Sequence, residues 1–159
     1  MGLQKRWKNG RKKVGLSQIL YCIGLREGGK GRDYLNEYKS CEVCGKKATQ
    51  IHHRVFRSKV HALVKCESNY CHLCTDCHVK VHSRDGHELD VKLKLEFQNK
   101  LEMLFDKEYL TEDDIQQTLG ISDRAMKSLS KTLKKERDGT YSRESVIISC
   151  MGGRLYGDS

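Results

Sequence analysis

Two adjacent histidines, His52 and His53, lie between apolar residues in the stretch IHHRV. Neighbouring side chains of an extended segment point to opposite faces, so the two imidazoles cannot do the same job. A neutral imidazole can bind a metal ion, and it can also accept a proton near neutral pH. The pair is therefore the first candidate for chemistry in this chain.

Two C-x-x-C pairs flank these histidines, and together they can close a tetrahedral Cys₄ zinc site. The 29 residues that separate the pairs, 45–73, exceed the usual spacer of a zinc ribbon, so we expect an inserted segment there. No secretory signal is visible, which favours zinc over disulfides. Cys66 and Cys71 leave the ligand count open, because either could replace a predicted ligand. The predicted zinc ligands are Cys41, Cys44, Cys74 and Cys77.

The second C-x-x-C pair is expected to open a helix that runs from about Thr75 to Ser83. His78 and His82 are four residues apart and therefore share one helical face. Cys77 and His78 are neighbours, about 100° apart around the helix axis. Cys77 can thus turn to the zinc ion while His78 faces the paired histidines.

The order C-x-x-C, I-H-H-R, N and L-C-x-x-C-H over residues 41–82 resembles the HNH nuclease family. The resemblance covers 42 of 159 residues. The chain as a whole is similar to phage nucleases that add short DNA-binding extensions to this core. It implies a small α+β fold, with a ββα-metal core and a structural zinc knuckle. In one departure from the family pattern, Cys71 and His72 replace hydrophobic residues of the second strand, whose start is therefore open.

The resemblance also implies a role for each residue of the motif. His52 matches a ligand of the catalytic metal, and His53 matches the general base that deprotonates the attacking water. Asn69 matches an asparagine that either ligates the metal or holds the loop that bears the base. His78 matches the second metal ligand, and His82 adds a third where relatives carry an i, i+4 histidine pair.

These residue types suit phosphodiester hydrolysis. An imidazole takes the proton from water, and a divalent metal stabilises the charge on the transition state and on the departing oxygen. We expect a structural Zn²⁺ and a catalytic Mg²⁺ or Mn²⁺, with Zn²⁺ or Ni²⁺ as alternatives. Arg54 could clamp a neighbouring phosphate. His61, His72 and His87 are expected to be structural or solvated.

Residues 1–37 are expected to form a basic N-terminal extension. The formal net charge of the chain is +9, and six basic residues lie within residues 1–13, well before the first acidic residue, Glu27. Such a run suits a polyanion, usually nucleic acid, although a solvated tail is an equal alternative. The six residues are Lys5, Arg6, Lys8, Arg11, Lys12 and Lys13.

Residues 88–159 are expected to be helical, after a nuclease core over residues 38–87. A first helix is predicted from about Asp90 to Tyr109. Next, Thr111 and Ser122 are candidate N-caps of two short helices that Gly120 separates. This arrangement resembles a helix-turn-helix, although an ordinary helical hairpin is as common. In a helix-turn-helix the second helix would direct Arg124, Lys127 and Lys131 towards DNA. The tail after residue 140 is either a small wing or a docking helix.

The sequence therefore predicts an HNH endodeoxyribonuclease of phage homing, nicking or recombination type. Its expected substrate is double-stranded DNA. The alternative is a non-catalytic zinc-ribbon and helix-turn-helix regulator that binds DNA, and RNA is a lesser alternative substrate. No apolar stretch reaches membrane length, so no membrane partner is expected. We expect the protein in the cytoplasm, or in the cytoplasm of the host cell if a phage encodes it.

Overall fold

A computed structural model of the chain describes residues 39–157. These residues form an α+β fold with five α-helices and two small antiparallel sheets, as the resemblance implied at this coarse level. The predicted N-terminal extension, including its six basic residues, lies outside the described residues. The elements are β1 (Gln50–His53), β2 (Tyr70–Leu73), α1 (Thr75–His82), α2 (His87–Leu104), β3 (Tyr109–Leu110), α3 (Glu112–Leu119), α4 (Asp123–Ser130), β4 (Tyr141–Ser142) and α5 (Arg143–Cys150).

Strands β1 and β2 pair in antiparallel register, with His52 opposite Cys71 and His53 opposite Tyr70. The second strand begins at Tyr70, which settles the start that the sequence left open. Cys71 and Leu73 are fully buried, whereas the residues between and before them are half-buried. Cys71 therefore packs as a small apolar side chain on the inner face of the sheet.

Helix α1 follows β2 directly and ends at His82, one residue before the predicted end. Gly86 then joins α1 to α2 at a very close approach of the backbone. A Cβ atom at Gly86 would lie 1.7 Å from the carbonyl oxygen of Lys80. Only glycine therefore allows α2 to begin so soon after α1. Helix α2 starts earlier and ends earlier than predicted, because Phe105 is extended and the chain after it enters β3.

Two hydrophobic clusters stabilise this fold, and α2 contributes to both. Leu93 packs in the smaller cluster, beside β2, α1 and the cysteines. Phe97 and Leu101 pack in the larger cluster, which joins residues 55–66 to the C-terminal helices. The expected boundary between residues 87 and 88 falls at the start of α2, but the segments on its two sides share a core.

Helices α3 and α4 have the ends that the sequence predicts. Thr111 caps α3 in a reciprocal capping box with Asp114, and Ser122 caps α4 by accepting a hydrogen bond from the Ala125 N–H. Gly120 ends α3 in the left-handed region, at a φ of 62°. Such a φ favours glycine, because a Cβ atom is strained there.

The C-terminal tail forms a docking helix. Val146, Ile147 and Cys150 of α5 are almost fully buried in the larger cluster. The short strand β4 precedes α5 and pairs with β3. Between residues 39 and 157, no helix combines the length and the apolar character needed to cross a membrane.

Candidate metal centres

The four predicted zinc ligands form one cluster. The sulphur atoms of Cys41, Cys44, Cys74 and Cys77 all lie within 4.8 Å of one another, and those of Cys44 and Cys74 are 3.6 Å apart. Four thiolates at the usual zinc–sulphur distance would be separated by about 3.8 Å in a regular tetrahedron. The cluster can therefore hold a metal ion such as zinc without a large rearrangement.

Local backbone structure positions these sulphur atoms. A turn between Cys41 and Gly45 is closed by a hydrogen bond of 2.9 Å from the Gly45 N–H to the Cys41 carbonyl. Cys74 is the N-cap residue of α1, and Cys77 lies in the first turn of the same helix. The antiparallel pairing of β1 with β2 brings the two C-x-x-C pairs together, although 29 residues separate them.

The thiols of the cluster differ in how readily they ionise. Burial opposes ionisation of Cys41, but N–H groups of Cys74, Cys44 and Val43 point at its sulphur and lower its pKa to about 6. Burial and the neighbouring sulphur atoms raise the pKa of Cys77 to about 12. One thiolate is thus favoured at neutral pH, and ionising all four requires a cation among them.

Cys66 and Cys71 do not belong to this cluster. Both side chains are fully buried, and burial raises the pKa of Cys66 and raises that of Cys71 to about 12. Such thiols behave as small apolar side chains. All seven cysteines within residues 39–157 are free thiols.

A second cluster consists of His52 from β1 with His78 and His82 from α1. Each side chain offers one ring nitrogen, and these nitrogens all lie within 4.8 Å of one another. The predicted helix face thus meets His52 as the spacing required. We call these residues the trihistidine cluster, and it opens onto a cleft of about 490 Å³.

The trihistidine cluster is suited to bind a metal ion. Burial, followed by the neighbouring His82 and His78, lowers the pKa of His52 to about 4, and burial also lowers that of His78. His52 is therefore neutral at pH 7 and has a lone pair to share. Its Nε2 atom is buried and has no hydrogen-bond partner among the described residues. A metal ion would give this polar atom the partner that burial otherwise denies it.

His53 has a different environment. Its Nε2 lies 3.0 Å from the carbonyl oxygen of Val64, and its ring packs edge-on against Tyr70. A carbonyl oxygen only accepts, so Nε2 carries the hydrogen in the neutral ring and Nδ1 keeps its lone pair. His53 also lines the cleft of the trihistidine cluster. The two adjacent histidines thus line the same cleft, but His52 belongs to the trihistidine cluster whereas His53 is hydrogen-bonded to the backbone.

Asn69 holds the loop between β1 and β2 and lies outside the trihistidine cluster. Its Oδ1 accepts a hydrogen bond of 2.8 Å from the Val55 N–H. Its Nδ2 donates to the carbonyl oxygens of Val55 and Leu63, at 3.0 and 3.5 Å. The residue after Leu63 supplies the carbonyl that holds His53. These contacts fit the loop-holding one of the two roles that the resemblance left open.

Replacing Asn69 with alanine should lower the free energy of unfolding by about 1–3 kcal/mol, because a buried N–H of Val55 loses its acceptor. Urea denaturation of the metal-loaded protein measures this change. Asn99→Ala is the matched control, since Asn99 is exposed on α2 and should change stability by less than about 0.5 kcal/mol. Equal stability of the two variants would contradict the loop-holding role.

Three residues near the trihistidine cluster were not predicted as site residues from the sequence. The ring of Phe56 lies 5.7 Å from that of His52 and 5.4 Å from that of His82. The ammonium of Lys94 lies 4.4 Å from the centre of the Phe56 ring and pairs with Asp90. The available signal was the spacing of Asp90 and Lys94, which places both on one face of α2.

The residues predicted to contact DNA differ in how exposed and how paired their side chains are. Arg54 pairs with Glu42 and donates to the carbonyl oxygen of Tyr70, and its side chain is only 11% exposed. This differs from the expected phosphate clamp, because the guanidinium already has a carboxylate partner. Arg124, Lys127 and Lys131 are exposed at α4.

The three histidines expected to be structural or solvated lie outside the trihistidine cluster. His72 is half-buried near Glu42, and its ring nitrogen lies 3.4 Å from that carboxylate. His61 and His87 are exposed. Comparisons with protein families, with curated proteins and with solved structures find no match to this chain.

Proposed function

We propose that the protein is a metal-dependent endonuclease of the HNH type, which hydrolyses phosphodiester bonds of DNA. In this proposal β1, β2 and α1 form a ββα-metal core, and the Cys₄ cluster holds a structural zinc ion. The observation that carries the proposal is the cleft in which the trihistidine cluster and His53 lie together. A metal site and a separately held imidazole are the two parts that hydrolysis by a metal-activated mechanism needs.

The residues of the cleft would divide the work. The trihistidine cluster binds and orients a divalent ion, which supplies Lewis-acid stabilisation of charge when bound. Nδ1 of His53 accepts the proton of the attacking water, while the Val64 carbonyl holds its other nitrogen. Phe56 packs against the rings of His52 and His82, and the ammonium of Lys94 lies over the Phe56 ring. The base is therefore fixed by hydrogen bonding and needs no metal bond.

The donor set bears on the identity of the metal. Three imidazole ligands suit ions such as Zn²⁺ and Ni²⁺, whereas Mg²⁺ and Mn²⁺ prefer oxygen ligands. Among residues 39–157, the group of side chains that could hold a metal together with His52 contains no carboxylate. The site thus favours Zn²⁺ or Ni²⁺ over the Mg²⁺ or Mn²⁺ that the resemblance implied.

A second candidate function is a non-catalytic regulator that binds DNA. The capped helices α3 and α4, with basic residues exposed on α4, favour this alternative. A regulator has use for the Cys₄ cluster as a structural element. It has no evident use for a trihistidine cluster and a fourth histidine in the same cleft, and for this reason we favour the nuclease.

Plasmid nicking tests the proposal. We expect the zinc-loaded protein to convert supercoiled plasmid to open or linear forms when Ni²⁺, Zn²⁺, Mn²⁺ or Mg²⁺ is titrated. His78→Ala should raise the metal concentration for half-maximal activity at least about tenfold, because one ligand is lost. His87→Ala is the matched control, since His87 is exposed and lies outside the cluster. Retained DNA binding without cleavage by any of these metals would support the regulator instead.

A further inference from the structure

A second and larger cleft, of about 880 Å³, lies beside helix α4. One wall is the face of α4 that carries Arg124, Lys127 and Lys131. The other wall is the segment that begins with the short 3₁₀ turn His61–Leu63 and continues to Lys65. We call this cleft the α4 groove. The predicted DNA-contacting face of α4 therefore does not stand alone, because the loop between β1 and β2 lies opposite it.

The α4 groove is strongly positive. Lys65, Arg124, Lys127 and Lys131 are all exposed, and none of them has an ion-pair partner within the described part of the chain. Among residues 39–157, Asp123 is the one acidic residue that lines it, and its carboxylate accepts a hydrogen bond of 2.6 Å from Gln116. The positive charges are thus available to an external anion.

The spacing of these charges suits an extended polyanion better than a single small ion. Arg124, Lys127 and Lys131 follow an i, i+3, i+7 pattern, which places them along one face over about 10 Å of helix. Each nucleotide of a DNA strand carries one negative phosphate, so a row of charges of this length can contact more than one phosphate of the same strand. Ile121 and Ala125 also line the groove, and their apolar surface can contact the carbon atoms of the sugars.

One residue, Val64, relates the α4 groove to the cleft that contains His53. Val64 lines the groove, and the carbonyl oxygen of the same residue accepts the hydrogen bond from His53. A strand that occupies the groove would therefore contact the loop that fixes the His53 ring. This link ties the position of a bound strand to the position of the imidazole.

We propose that the α4 groove binds the sugar–phosphate backbone of one DNA strand and leads it to the His53 cleft, an assignment that rests on the proposed function for its substrate. Both walls contribute charge, with Lys65 from the loop and the three basic residues from α4. The contacts are to phosphates and carry no base sequence. In this role α4 packs against the nuclease core and reads backbone shape, which differs from a helix inserted into the major groove.

Fluorescence anisotropy of labelled oligonucleotides tests the α4 groove without requiring cleavage. The double variant Lys65→Gln with Lys127→Gln removes one charge from each wall. We expect its Kd at 0.1 M salt to rise on the order of tenfold, and its salt slope to become shallower by up to about 2 for duplex DNA. The control, Lys92→Gln with Arg137→Gln, removes two exposed charges outside the groove and should change neither quantity much.

Further outcomes distinguish the groove from the nuclease. If the groove variant binds DNA more weakly and yet the protein cleaves DNA with none of the metals tested, that result would support the proposed role of the α4 groove and overturn the proposed nuclease function. Cleavage with unchanged KM in the groove variant would overturn the proposed role of the groove and leave the proposed nuclease function intact.

Single-stranded and duplex probes are compared, and loss of affinity on either supports backbone binding. Lys127→Arg should retain binding, and equal Kd values for groove and control variants would overturn the proposal.

Discussion

Replacing His53 with alanine should lower the rate of DNA cleavage by about 10²–10⁴-fold, which is the usual contribution of a general base. The ring is half-buried and its replacement removes one hydrogen bond, to Val64, so the fold should survive. The trihistidine cluster does not include His53, and metal affinity should therefore stay within about twofold of the original. Plasmid nicking at saturating metal, with calorimetric metal titration of the same samples, measures both quantities.

His52→Ala provides the contrast that separates the neighbouring histidines. His52 belongs to the trihistidine cluster, so its loss should weaken metal binding, and excess metal should restore part of the activity. Excess metal should restore nothing in His53→Ala. Full activity of His53→Ala would exclude it as the base and would favour the regulator. A shift of the pH profile for cleavage in His53→Ala, with unchanged metal affinity, would separate a proton-transfer role from a structural one.

Removing the ion from the Cys₄ cluster should unfold the segment that contains β1, β2 and α1. Structural zinc contributes apparent binding free energies of about 10–16 kcal/mol in small zinc domains, and that energy drives folding. Cys74 connects the end of β2 to the start of α1, so Cys74→Ser should abolish zinc binding and disorder both elements. Metal analysis and hydrogen exchange of the variant, and of the chelated original protein, measure these effects.

Cys66→Ser is the matched control for Cys74→Ser. Cys66 and Cys74 are both buried, but Cys66 lies outside the Cys₄ cluster, in the larger hydrophobic core. The serine hydroxyl should cost about 1–3 kcal/mol of stability, and zinc content should remain unchanged. A folded Cys74→Ser protein that contains no zinc would contradict the structural role of the Cys₄ cluster.

Features that depend on a few neighbouring residues were determined by the sequence alone. The i, i+4 spacing of His78 and His82 fixes their common face, since the pitch of a helix follows from local hydrogen bonds. Thr111, Gly120 and Ser122 set the ends of α3 and α4, because caps act within one turn. Each C-x-x-C spacing likewise predicted a local pair of ligands, and the structure brings the two pairs together.

Features that depend on distant segments were decided by the tertiary structure. The sequence could not exclude Cys66 and Cys71 as ligands, because only the pairing of β1 with β2 selects which sulphur atoms meet. It left two roles open for Asn69, whose amide reaches the backbone 14 residues earlier in the chain. In each case, the outcome depends on which atoms packing brings within reach of one another.

Helix α4 illustrates the same division within one element. Its basic face was evident from the spacing of Arg124, Lys127 and Lys131, because helical periodicity is local. The opposite wall, with Lys65, became visible only when the loop between β1 and β2 was placed beside the helix. Periodicity shows which side chains share a face, whereas the packing of residues about 60 positions apart determines what that face meets.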